Sequence, residues 1–154
     1  MEIITKDILT VTEGIICHQV NCMGVMGSGI AKAIRDKWPI VYDEYRYFYE
    51  KYTEHDWRLL GNSQLVRVDD NIQVANLFAQ YNFNKTGLPF TRHTEYGAFK
   101  DACKELQNQV DYFGGVIPVY FPYNCGSDRA GGDWNIISKI IEYYFHDAII
   151  CKLP

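Results

Sequence analysis

The chain contains 154 residues, of which 47% are hydrophobic, and its formal net charge is −4. This length and composition predict one domain, residues 1–154, around a single core. The acidic balance argues against sequence-independent binding of nucleic acid, which needs a basic surface, and no apolar run approaches the roughly 20 residues that span a bilayer.

The N-terminal residues lack the basic segment and apolar stretch of a secretory signal, which predicts a cytoplasmic protein that does not bind membranes. The five cysteines are odd in number and form no Cys-x-x-Cys pair, so neither a disulfide framework nor a zinc site is expected. We therefore expect reduced thiols and no bound metal.

Strand and helix patterns alternate through the first half of the chain. Residues 15–20 form an apolar, strand-like run, and apolar residues then recur at helical spacing over 30–38 until Pro39 ends that helix. Pro39 also suits the first turn of a second helix, which carries tyrosines at helical spacing. Residues 64–68 and 72–78 read as two strands joined by a short polar turn, which predicts a hairpin.

The second half continues the alternation. A loop is predicted at residues 81–93, after which Thr94 suits the N-cap of a long helix that runs to about Tyr112. Buried-strand composition over 116–121, a helical stripe from Trp134 and a short strand at 148–151 complete the chain. This order predicts a three-layer α/β/α sandwich with a mixed, mostly parallel sheet.

Two glycine-bearing turns, residues 24–31 and residues 126–134, each follow a strand-like run and precede a helix. Glycine lets the backbone approach a ligand, and the first amides of a helix are unpaired donors at the positive end of its dipole. In open sheets of this type, ligands bind beyond the carboxyl ends of the strands, where both turns are expected. Two such turns can hold two phosphates, so nucleotide diphosphates are the first substrate class to consider.

Three segments are distinctive in sequence: His-Gln-Val-Asn-Cys-Met-Gly-Val-Met-Gly-Ser-Gly-Ile-Ala at 18–31, Asn-Leu-Phe at 76–78 and Ala-Gly-Gly-Asp-Trp at 130–134. Together they resemble a macrodomain of the branch that processes ADP-ribose 1″-phosphate. The resemblance covers nearly the whole chain and implies a cleft above the sheet that binds ADP-ribose.

The resemblance also implies a set of ligand-binding residues. Asp7, with Ile8, would accept a hydrogen bond from the adenine amino group, although Asp7 also suits a turn or helix cap. Asn21 would contact the distal ribose, although it could instead satisfy the backbone at the strand end. The residues implied to wrap the diphosphate are Gly27, Ser28, Gly29, Ile30, Gly126, Ser127, Asp128, Arg129, Ala130 and Gly131.

The second turn departs from the family pattern, because relatives generally carry Gly-Cys-Gly-Leu-Ala-Gly-Gly where this chain has Gly-Ser-Asp-Arg-Ala-Gly-Gly. Asp128 replaces a glycine, and aspartate adopts positive φ more readily than most residues. Arg129 could pair with a phosphate or with Asp128. Ser28, in the first turn, could cap the following helix as well as bind phosphate.

Five residues are candidates for catalysis: Asn21, Asn76, Asn124, His93 and Asp133. The resemblance implies that Asn21 positions the attacking water, and the other two asparagines end or follow strands beside the expected cleft. His93 can change charge near neutral pH, so it is a candidate acid or phosphate contact. Asp133 is a candidate general base, but its place before a helix favours an N-cap.

Other side chains are expected to have structural roles. His18 lies in an apolar strand and is predicted to be a core histidine. A lysine nucleophile, used by some relatives that remove ADP-ribose from proteins, is not expected because Gln80 is the nearest equivalent. Cys22 and Cys125 adjoin the two turns, but a thiolate nucleophile is disfavoured at both positions. A group of aromatics is expected mainly to pack, although one or two of them could stack on adenine or cover the distal ribose: Phe78, Tyr81, Phe83 and Phe90.

Three functions remain open. We favour hydrolysis of ADP-ribose 1″-phosphate to ADP-ribose and phosphate; the alternatives are a hydrolase that removes ADP-ribose from protein or nucleic acid, and a reader that binds ADP-ribose without turnover. A redox Rossmann protein is disfavoured because the first turn lacks the third glycine of the dinucleotide fingerprint. We expect no cofactor, a small-molecule partner and a monomeric chain.

Overall fold

The computed structural model describes residues 1–52, 56–83 and 92–154. Its strands are β1 (Glu2–Thr5), β2 (Gly14–Asn21), β3 (Ser63–Arg67), β4 (Ile72–Gln80), β5 (Val119–Pro122) and β6 (Ile149–Lys152). Its α-helices are α1 (Gly29–Lys37), α2 (Pro39–Glu50), α3 (Tyr96–Tyr112) and α4 (Trp134–Tyr144). Short 3₁₀ helices lie at Ile8–Thr10 and Trp57–Leu59.

The strands form one sheet in the order β1-β6-β5-β2-β4-β3. Only the β3–β4 hairpin is antiparallel among the described pairs, and the remaining neighbours are parallel. The sheet is therefore mixed and mostly parallel, as predicted, and the carboxyl ends of its parallel strands meet at one edge. Asn21 pairs with Gln80 because the β2–β4 register shifts after Val20.

Helices cover both faces of the sheet, which confirms the three-layer arrangement. On one face α1 and α2 bury Ile34, Val41 and Tyr45 against the sheet. On the other face α3 and α4 bury a second cluster that includes Phe99 and Ile137. Pro39 begins α2 one residue after α1 ends. Its fixed φ suits the first helical turn, and its missing amide would have no partner there.

The structure corrects three details of the predicted elements. The pattern did not predict β1, an edge strand of four mostly exposed residues. β5 begins at Val119 rather than at residue 116, because Val116 is fully exposed. The prediction that Thr94 caps α3 is wrong: Glu95 holds the N-cap position, and Thr94 forms an antiparallel bridge with Gln80.

No helix within the described ranges is both long and apolar enough to cross a membrane. The predicted loop at 81–93 lies mostly at residues 84–91, outside the described residues, as does Phe90.

Candidate ligand-binding cleft

A cleft of about 900 Å³ lies at the carboxyl edge of the sheet and contains parts of both glycine turns. Its size is within the range of small-molecule sites. Its lining comes from residues 6–9, 19–21, 25–31, 122–126, 128–130 and 151–153, with Ala33, Gln80 and Phe83. The two turns meet there because each follows a parallel strand, and parallel strands end at the same edge.

The first turn presents the N-terminus of α1 to the cleft. Ser28 occupies the N-cap position but makes no side-chain bond to the helix, so the predicted capping bond is not formed. Gly29 has a φ of 58°, and a Cβ built on it would meet nothing within 4 Å. The nine-residue helix carries no acidic residue in its first turn. Its dipole and first amides therefore favour an anion at this position.

The second turn is held against the segment that precedes α3. The Thr94 hydroxyl donates to the backbone oxygen of Gly126 at 2.6 Å. The backbone amides of His93 and Thr94 both donate to the oxygen of Ala130, at 2.8 and 3.1 Å. The φ of Gly126 is 70°, which favours glycine, and a Cβ there would lie 2.7 Å from Gln19 Oε1, so the Gln19 side chain would have to move.

Some of the second-turn residues predicted to bind the diphosphate line the cleft, and others do not. Gly126, Asp128, Arg129 and Ala130 line the cleft, but the predicted ligand contacts Ser127 and Gly131 do not. Both residues form hydrogen bonds within the turn. The amide of Ser127 donates to the backbone oxygen of Asn124, and the amide of Gly131 donates to the backbone oxygen of Asp128.

Positive φ occurs at Asn124 rather than at Asp128. Its φ is 61°, and it is the one non-glycine residue with positive φ in the described part of the chain. The conformational expectation for Asp128 is therefore wrong. Asparagine tolerates this region because its short side chain can hydrogen-bond locally. Asn124 remains a candidate because it lines the cleft.

Asp7 both caps a helix and lines the cleft. Its Oδ1 accepts a hydrogen bond from the amide of Leu9 at 3.0 Å, which caps the 3₁₀ helix Ile8–Thr10. A carboxylate can accept several hydrogen bonds, so the cap does not use up Asp7 as an acceptor for a ligand. The two readings of Asp7 are compatible. Ile8 also lines the cleft.

Asn21 ends β2 at the cleft, and most of its amide is used within the protein. Its Oδ1 accepts from the amide of Met23 at 2.9 Å and lies 2.8 Å from the Tyr45 hydroxyl. Its Nδ2 donates to the oxygen of Val25 at 2.8 Å. Asn21 therefore braces the first turn by bonding to the backbone after the strand end, and it keeps one N–H for other partners.

The structure places Asn76 away from the cleft, which does not support its prediction as a catalytic residue. This residue is fully buried and does not line the cleft. Its Oδ1 lies 2.5 Å from Nε2 of His18, and its Nδ2 donates to Gln64 at 3.1 Å. Burial lowers the pKa of His18 to about 4, so the imidazole stays neutral at physiological pH. His18 is a core histidine, as predicted.

His93 and Asp133 also lie outside the cleft lining. His93 contributes its backbone amide to the support of the second turn. The Asp133 side chain accepts from the amide of Asn135 at 2.8 Å and caps α4, so the N-cap reading is confirmed. A general base must come within hydrogen-bond reach of the substrate, so side chains that line the cleft are the better candidates.

Replacing Asp133 tests this assignment. We expect Asp133→Ala to lower the free energy of unfolding by about 1 kcal/mol, the usual loss for an N-cap, without changing ligand affinity or turnover. Asp133→Asn should restore the stability because asparagine caps as well as aspartate. Thermal denaturation of both variants checks the prediction. Reduced turnover at an unchanged melting temperature would return Asp133 to the list of catalytic candidates.

The cysteines are buried, unpaired thiols. Burial raises the pKa of Cys22 and of Cys125 to about 12, so both remain protonated near neutral pH. A thiolate nucleophile is disfavoured further. Within the described ranges, no group of three or more His, Cys, Asp or Glu side chains could hold a metal ion.

Sequence reasoning missed the contribution of Gln19. Its Nε2 donates to Gln80 Oε1 at 2.7 Å and to the Thr94 hydroxyl at 2.9 Å, and that hydroxyl donates to Gly126. The Gln80 amide in turn donates to the oxygen of Asn82. These bonds connect the end of β2 to the second turn. A second polar residue beside His18 in a mostly apolar strand, two positions before Asn21, was the available signal.

Comparison of the sequence with models of protein families gives no match, and comparison with curated proteins gives none. Similar solved structures include a Bacteroides thetaiotaomicron protein of unknown function, with a TM-score of 0.81 and 27% identity over 99% of this chain and 97% of that one. The macrodomain of Mycobacterium tuberculosis DarG has a TM-score of 0.78 at 18% identity, covering 99% and 97%.

A third similar structure is Thermosipho africanus DarTG in complex with ADP-ribose. Its TM-score is 0.75 at 16% identity, and the alignment covers 99% of this chain and 41% of that one. The predicted fold class is confirmed: the chain has the fold of macrodomains.

Proposed function

We propose that this chain, which has the fold of macrodomains, binds ADP-ribose in the cleft with the diphosphate between the two glycine turns. The observation that carries the proposal is the convergence of both turns on one cavity, at the N-terminus of a helix that Ser28 leaves uncapped. Backbone amides and a helix dipole bind anions whatever the net charge of the chain. The ADP-ribose bound in Thermosipho africanus DarTG supports the same ligand.

The remaining cleft side chains suit the adenine and the distal ribose, the two ends of this ligand. The Asp7 carboxylate is an acceptor for the exocyclic amine of adenine, whereas guanine would present a carbonyl oxygen at the same edge. Asn21 and Asn124 line the cleft and offer amide groups to the hydroxyls of the distal ribose. Adenine selection would then depend on one carboxylate.

The reaction we propose is hydrolysis of ADP-ribose 1″-phosphate. Water attacks the phosphorus, the bond between phosphorus and the 1″ oxygen breaks, and the leaving oxygen takes a proton to give ADP-ribose and inorganic phosphate. Asn21 would hold the water, and the turn amides would stabilise charge on the phosphoryl oxygens. Asp133 and His93 lie outside the cleft lining and Asp7 is assigned to adenine, so Asp128 in the second turn is our candidate to accept the proton of the water.

A reader of ADP-ribose is the second candidate, and the bonding of Asn21 favours it. Its acceptor oxygen and one of its donors already serve the first turn. The polar side chains left to activate water are therefore few. Binding would be the same in both cases, and turnover alone separates them.

We expect ADP-ribose to bind with micromolar affinity, about 8 kcal/mol, and AMP to bind clearly more weakly. AMP lacks the second phosphate and the distal ribose, so it can engage only one of the two turns. Titration calorimetry with each ligand checks this. Equal affinities would remove the argument for a second phosphate site.

Release of inorganic phosphate from ADP-ribose 1″-phosphate tests the reaction itself. Steady release by the wild-type protein supports the phosphatase. Binding of ADP-ribose without release would contradict it. An assay on ADP-ribosylated protein and nucleic acid then separates a hydrolase acting on macromolecules from a reader.

A further inference from the structure

One buried hydroxyl from an outer helix reaches the start of the first glycine turn. Tyr45, on α2, is fully buried, and its ring stacks on Phe78 with centroids 5.6 Å apart. Its hydroxyl lies 2.8 Å from both the backbone oxygen and Oδ1 of Asn21, and it accepts from the amide of Val25 at 3.1 Å. Tyr45 does not line the cleft.

We propose that Tyr45 is a positioning residue for the cleft, whose hydroxyl fixes the Asn21 amide and the first glycine turn in their ligand-binding geometry. The expected effect of Tyr45 on ADP-ribose affinity rests on the proposed function, whereas its hydrogen bonds to Asn21 and Val25 are present without ligand. Tyr45 acts through Asn21 and Val25, both of which line the cleft.

The hydroxyl is the better of two acceptors for the Val25 amide. The alternative, Asn21 Oδ1, is 3.4 Å from that nitrogen and also receives the amide of Met23. Without the hydroxyl, Val25 would keep only this long contact. A single group on α2 therefore joins the strand-end residue Asn21 to the residue four positions further along the turn.

Packing alone does not explain a tyrosine at this position. A buried hydroxyl is unfavourable unless it is hydrogen-bonded, so phenylalanine would serve the apolar cluster equally well. Burial raises the pKa of Tyr45 well above its usual value, which keeps the hydroxyl protonated and able to donate. The next residue, Arg46, adds a second contact from α2, since its guanidinium donates to the oxygen of Gly24 at 3.2 Å.

Tyr45→Phe removes the hydroxyl and keeps the ring. We expect the Kd for ADP-ribose to rise about tenfold, because the partners of the lost hydroxyl are left under-bonded. Tyr42→Phe is the matched control: Tyr42 lies one turn earlier on α2, with its ring 6.3 Å from that of Tyr45. The control should bind as the wild type does. Equal affinities for wild type and Tyr45→Phe would overturn the inference.

A double-mutant cycle tests whether Tyr45 acts through Asn21. If it does, Tyr45→Phe should weaken binding less in an Asn21→Ala background than in the wild type. A purely structural loss elsewhere would instead give independent effects, with the two fold-changes multiplying in the double variant. That second result contradicts positioning through Asn21.

Amide hydrogen exchange of the ligand-free protein separates this inference from the proposed function. We expect the Val25 amide to exchange about tenfold faster in Tyr45→Phe than in the wild type, with no change in Tyr42→Phe. Unchanged exchange would overturn the positioning role, whatever the affinities show. If the Val25 amide exchanges faster in Tyr45→Phe but the wild-type protein does not bind ADP-ribose, Tyr45 positions the first turn and the proposed ligand is wrong.

Discussion

Gly29→Glu should abolish binding of ADP-ribose while leaving the fold intact. The Cβ of residue 29 would enter open space at the N-terminus of α1, where the phosphate is proposed to lie. Two unit charges about 4 Å apart near a protein surface repel by roughly 4 kcal/mol, which corresponds to about a thousandfold in Kd. Calorimetry measures the loss.

Gly29→Glu also places a side chain at positive φ, which strains the backbone. The control variant must therefore introduce glutamate at another glycine of positive φ. Gly114 provides it: its φ is 69°, its Cβ would also meet nothing within 4 Å, and it follows α3 away from the cleft. Gly114→Glu should lose a similar amount of stability and bind normally. If Gly29→Glu retains affinity while its circular dichroism is normal, the ligand binds elsewhere.

Asn21→Ala should reduce turnover of ADP-ribose 1″-phosphate by about a hundredfold, a loss of about 2.7 kcal/mol in transition-state stabilisation. The variant removes the amide proposed to orient the water and also releases the amides of Met23 and Val25. We expect ADP-ribose affinity to weaken by a smaller factor, because the α1 amides remain in place.

Phosphate release gives the loss of turnover in Asn21→Ala, and titration of the same preparation with ADP-ribose gives the loss of affinity. Asp133→Ala is the contrasting variant, since it should lose stability and keep its turnover. Turnover within about threefold of the wild type in Asn21→Ala would leave Asn21 only as a brace of the first turn.

The parts of the fold that local sequence determines were predictable. The two turns were identified because glycine and a following amphipathic helix are local signals, and Pro39 marked the start of α2 in the same way. β1 gave no such signal: its four residues lie at the sheet edge and are mostly exposed, so no buried face produces an alternating pattern.

The site was less predictable where it depends on contacts distant in sequence. Asn76 was a candidate because it lies in a strand near the cleft, but its side chain is in the layer beneath α1 and α2 and bonds to His18. Side chains two positions apart in a strand point to the same face of the sheet. Val74 and Phe78, two positions to either side of Asn76, pack in the core cluster under α1 and α2, so the strand pattern already indicated that Asn76 faces the core. The support of the second turn by Thr94 and Gln19 joins segments far apart in sequence, which no local pattern reveals.

The two turns are attached to opposite helical layers. The first is held by Tyr45 and Arg46 of α2, and the second by Thr94 at the start of the α3 segment. A ligand that spans both turns therefore connects the two helical layers, which lie on opposite faces of the sheet. Ligand occupancy would make unfolding of the two layers more concerted, since neither layer could detach from the sheet without giving up its share of the ligand's binding energy.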